Sequence, residues 1–63
     1  MTPERGIELV GGWPKDRTVP RKLAAGIKES TGERKRQLKM LVEALYAASE
    51  TTSDLELIER YFS

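Results

Sequence analysis

The side chains that most often carry enzyme chemistry are missing from this chain. It has no cysteine and no histidine, so the commonest nucleophile–base pairs cannot be assembled. Disulfides and zinc sites of the Cys/His type are excluded on the same ground. The serines at 30, 49, 53 and 63 fall where caps, polar links and a terminus are expected. The densest carboxylate group is Asp54, Glu56 and Glu59. A glycosidase-like pair needs a cleft to hold sugar between its carboxyls, and a chain this short leaves little wall for one. Gly11-Gly12-Trp13-Pro14 lacks the strand, helix and Gly-Lys-Ser/Thr ending of a phosphate loop. No acidic loop of the EF-hand kind is present. The expectation is a protein that is not an enzyme, with no catalytic residue, no metal, no cofactor and no evident small-molecule substrate.

What remains is binding chemistry, and two sets of residues could supply it. The first is aromatic: Trp13, the only tryptophan, with Tyr46, Tyr61 and Phe62. Tryptophan and tyrosine dominate protein-binding hot spots, and Trp13 stands in a loop between glycines and a proline. It also suits a cap on a small core, because it supplies much of the burial such a domain needs. Two aromatics so near the C-terminus must dock on their own bundle or on a partner.

The second set is basic. From Lys15 to Lys39 nine cations face three acids, a net +6, while from Met40 onward five acids face Arg60, a net −4. Arg17, Arg21, Lys22, Arg34, Lys35, Arg36 and Lys39 are candidates for phosphate or nucleic-acid contact. Arg34-Lys35-Arg36 opens a helix, where the macrodipole disfavours cations. Such runs often serve only to solvate a helix or pair internally. The test is geometric. If the basic residues of the two middle helices point the same way, phosphate binding gains; if acids of the bundle surround them, it loses.

The elements that must position these residues are helical. Thr2-Pro3-Glu4 is a helix start, and Ile7, Leu9 and Val10 precede the Gly11-Gly12 stop, giving a helix over about 3–10. A short extended stretch is the rival, but one strand has no partner in this chain. Thr18 caps a second helix over 19–29, with Val19, Leu23, Ala24 and Ile27 on one face. Ser30 and Glu33 have capping-box spacing, so a third helix over about 31–49 follows; a single helix running through Gly32 would cost about 1 kcal/mol. Leu38, Leu41, Val42, Leu45 and Ala48 form its stripe, and Met40, Ala44 and Ala47 widen it. That breadth predicts a central helix covered on more than one side. Ser53 and Glu56 repeat the capping-box spacing before a last helix over 54–62, with Leu55, Ile58, Tyr61 and Phe62 inward and Leu57 to one side.

The fold class expected is therefore all-α, a single small bundle of three to four short helices spanning residues 1–63. A turn at Gly32 gives the outline of a helix-turn-helix, but Lys28 occupies the position where a small packed residue belongs, and no apolar anchor precedes Leu38. At 63 residues a domain buries only about 60% of its unfolded surface. Without disulfide or metal, the stabilising options are tight helix packing and self-association as a homodimer. No secretory start and no membrane-length apolar run is present, and a membrane-surface helix is disfavoured because the best stripe is needed for the core. The sequence reads as a cytoplasmic, non-catalytic regulator or adaptor that binds another protein or itself, with nucleic-acid binding through residues 15–39 as the alternative.

Overall fold

A computed structural model describes residues 1–62. Among them are four helices and no strand: α1 Pro3–Gly11, α2 Val19–Glu29, α3 Gly32–Ala48 and α4 Thr52–Phe62. The expected all-α bundle is thus present, with element bounds within two residues of those read from the sequence. The extended rival for the first segment does not occur.

The helix starts show which polar groups the sequence assigns to orphan backbone donors. Thr2 caps α1, its hydroxyl accepting from Arg5 N–H at 3.2 Å. Thr18 stands at the start of α2, but its hydroxyl donates to Asp16 Oδ1 at 2.6 Å, and Asp16 also accepts Thr18 N–H at 2.9 Å. Asp16 is the local acceptor here, and the two Thr18 bonds, the side-chain one foremost, hold its pKa below the ordinary carboxylate value.

Two capping boxes expected at Ser30–Glu33 and Ser53–Glu56 do not form. Ser30 is buried and instead closes the C-terminus of α2, its hydroxyl donating to Gly26 O at 2.7 Å. Gly32 then turns the chain with φ +61°, a conformation open to glycine. The box of α4 lies two residues earlier than expected. Thr51 Oγ1 accepts Asp54 N–H at 3.2 Å, and Asp54 Oδ2 accepts Thr51 N–H at 3.1 Å. Aspartate here takes the role usual for glutamate in the reciprocal pair.

The directions of the helices follow from their contacts. A methyl group built on Gly6 of α1 would lie 2.7 Å from Leu41 Cδ1 and 2.8 Å from Leu38 Cδ2. Seven residues on, Trp13 reaches Leu45 and Ser49 at the far end of α3. So α1 and α3 run parallel. Met1 lies against Gly26 near the end of α2, which makes α1 antiparallel to α2. Arg17, just before α2, binds Asp54 in the first turn of α4, so α2 and α4 start at the same end. Helices α1 and α4 each pack on α2 and α3 and do not meet each other.

The core is Leu9, Trp13, Val19, Leu23, Ile27, Leu38, Leu45 and Ile58, with Met1, Val10, Leu41, Val42, Leu57 and Phe62 packed around it. The α2 face matches its periodicity. The α4 face is rotated from the one expected: Asp54 and Ile58 are buried and Leu57 is half-buried, while Leu55 and Tyr61 are exposed. The cause is Asp54, which turns inward to cap its helix and meet Arg17. Helix α3 packs on α1, α2 and α4, the central position its breadth predicts. Leu38 and Leu45 are buried and Leu41, Val42 and Ala44 half-buried, but Met40, Ala47 and Ala48, expected in the stripe, are exposed.

Candidate interaction surfaces

Three regions collect the residues with binding chemistry. The first joins the α1–α2 loop to the α3–α4 link. Trp13 is 5% exposed, and its Nε1–H donates to Leu45 O at 3.1 Å and Ser49 Oγ at 3.2 Å. Ser49 Oγ in turn donates to Leu45 O at 2.8 Å. The Arg17 guanidinium lies 4.9 Å from the centroid of the indole ring, a cation–π arrangement, and also donates to Pro14 O and Ser53 Oγ. Its main partner is the buried carboxylate of Asp54. Asp54 accepts Glu50 N–H at 2.8 Å as well. That backbone bond first, and the Arg17 bond next, lower its pKa to about 2 against the opposing effect of burial. Every buried side-chain N or O atom here has a partner.

This junction is a structural clasp. Trp13 is not an exposed anchor, because its ring completes the core and its N–H is bonded inside. Arg17 pairs with Asp54 while its side chain stays 44% accessible. The pairing was hidden by a separation of 37 residues. Of the remaining aromatics, Phe62 packs on the core, while Tyr46 and Tyr61 are 40% and 38% exposed.

The second region is the basic one. Arg21 and Lys22 sit in the first turn of α2, and Arg34, Lys35, Arg36 and Lys39 in the first half of α3. Because α3 runs back along α2 at about 1.5 Å per residue, Lys39 comes level with the start of α2, while Arg34, Lys35 and Arg36 lie nearer its end. Arg36 is further engaged by Glu33 at 3.7 Å. Except for half-buried Lys35, these cations are exposed.

The third region lies along α1 and α3. Ile7 is 61% and Met40 67% exposed. Between them runs an open groove of about 390 Å³ lined by Pro3, Glu4, Ile7, Gln37, Met40 and Leu41. Ala44, Ala47 and Ala48 continue the surface along α3, and Arg36 and Glu43 lie on the same exposed stripe as Met40.

No protein family, curated protein or solved structure matches this chain.

Ile7 and Met40 were not among the contact residues expected from sequence. In α1 the inward positions are Gly6 and Leu9, and a glycine in the core leaves no apolar signal, so Ile7 reads as a core residue. The breadth of the α3 stripe is the available sign: it exceeds what α1, α2 and α4 cover. Among the described residues no group of three or more acidic, His or Cys side chains could hold a metal ion, and no helix is long and apolar enough to cross a membrane.

Proposed function

We propose that this protein is a small, non-catalytic, cytoplasmic interaction module whose contact surface is the apolar flank of α1 and α3. One observation carries the reading: the apolar stripe of α3 is broader than the surface that α1, α2 and α4 cover, leaving Met40 beside Ile7 in solvent. Apolar side chains exposed together on one surface are a feature of protein contact sites. Methionine suits such a role, because its flexible, polarisable side chain adapts to an opposing surface. In this reading the α1–α3 flank is the site of contact in place of the aromatic set.

The reading is tested by placing a photo-crosslinking residue at 40 and, as a control, at Glu56, exposed on α4. Irradiation in the cell is expected to give discrete protein adducts from position 40 and none from 56. Equal or absent labelling at the two positions would refute it.

A further inference from the structure

The partner itself can be argued from the pattern of charge around Met40. On α3, Arg36 and Glu43 are seven residues apart, two helical turns, and share one exposed stripe with Met40 between them and Ala47 beyond. A two-fold contact sets each surface against itself, so opposite charges must lie symmetrically about its centre. Arg36 and Glu43 have that arrangement. If two α3 helices cross antiparallel near Met40, Arg36 of each copy meets Glu43 of the other, and the two methionines meet at the centre. Ile7 and the groove it shares with Met40 and Leu41 then receive the methionine of the second copy.

We infer, resting on the surface assigned above, that the occupant of the α1–α3 flank is a second copy of this chain, joined through antiparallel α3 helices. Three further observations agree. Glu43 makes no salt bridge among the described residues, and Arg36 has only the long, exposed contact to Glu33, with side chains 79% and 68% accessible, which is worth little and exchanges readily. Small Ala44 and Ala47 allow close approach of helix backbones. The chain also lacks the disulfide or Cys/His metal site by which domains of this size gain stability, which leaves tight helix packing and association as the available helpers. A standard interface takes about 800 Å² from each copy, near a fifth of the 4298 Å² surface.

The experiment is sedimentation equilibrium of the purified chain from about 1 to 500 μM, a range that brackets micromolar association, with helicity followed by circular dichroism. The wild type is expected to reach twice its 7.1 kDa mass. Arg36→Glu and Glu43→Arg, both at exposed positions, should each raise the dissociation constant at least about tenfold through like-charge contact. The combined variant should return to within about threefold of wild type, the coupling expected of contacting residues. A monomer at the highest concentration overturns the inference, and so does a dimer whose two single reversals are not rescued by the double. If the wild type is monomeric but residue 40 still crosslinks a different protein in the cell, the surface stands and the second copy falls. A monomer with no adduct refutes both.

Discussion

Trp13→Phe separates the structural role of the indole from a binding role. The substitution keeps an aromatic ring in the core but removes the Nε1–H that reaches Leu45 O and Ser49 Oγ. Losing a hydrogen bond of this type costs about 1 kcal/mol. Leu45 O keeps the Ser49 hydroxyl as donor, so no buried acceptor is stranded. The smaller ring leaves a void of roughly 40 Å³ in a site that is 5% exposed, worth about 1 kcal/mol at the usual cavity cost. A weaker face for the Arg17 guanidinium adds a few tenths at most. The sum is about 2 kcal/mol, which in a domain near 60 residues lowers Tm by roughly 8–16 °C. The total stability of such a domain is about 3–5 kcal/mol, so the phenylalanine variant stays folded. Trp13→Ala, at about 3–5 kcal/mol, should not. Thermal and urea unfolding by circular dichroism, at one fixed chain concentration because association would shift Tm, gives both numbers. A Trp13→Phe protein melting within about 2 °C of wild type would refute the clasp.

Two further outcomes follow from the same geometry. Asp54 has a folded pKa lowered to about 2, so its contribution is full above its unfolded pKa and disappears as pH falls through about 2. Asp54→Asn should therefore be less stable than wild type at pH 7, with the difference in urea midpoint shrinking between about pH 4 and pH 2; a constant difference would count against the Arg17–Asp54 account. Gly6→Ala and Gly26→Ala should differ in sign. The first drives a methyl to 2.7 Å from Leu41 and 2.8 Å from fully buried Leu38, an overpacking of about 1–3 kcal/mol that exceeds the helix gain. The second meets only the flexible side chain of Met1 at 2.9 Å, so the helix gain of about 0.5–1 kcal/mol dominates; equal melting shifts would refute the distinction.

The helices were legible because their signals are local. Prolines at the starts of α1 and α2, glycines at the turns and the spacing of Leu23, Ile27, Leu38 and Leu45 are each read within a few residues. The caps were half legible. Ser30 and Ser53 have the right neighbours three residues on, yet Ser30 turns back to Gly26 and Ser53 lies inside α4, since Thr51 with Asp54 satisfies the same donors first. Pairings across the fold were not legible. Nothing around Arg17 points to Asp54, and nothing around Trp13 points to Ser49, because both contacts depend on α2 and α4 starting at the same end. The uncovered side of α3 was visible as breadth of stripe, but breadth alone does not say whether the cover comes from the same chain.

The clasp also makes the two ends of the bundle unequal. At one end, Trp13, Arg17, Ser49 and Asp54 tie all four helices together by bonds between residues more than thirty positions apart. At the other, where α2 passes into α3, the long-range ties are apolar, with the Met1 side chain lying on Gly26 and Gly6 set against Leu38 and Leu41, contacts without direction or charge. Local opening has its lowest free energy where buried contacts are fewest, so breathing starts at the Met1 end and spreads toward the clasp. The lone tryptophan is fixed at the end that opens last, and its emission reports the final step of unfolding while remaining silent about the first.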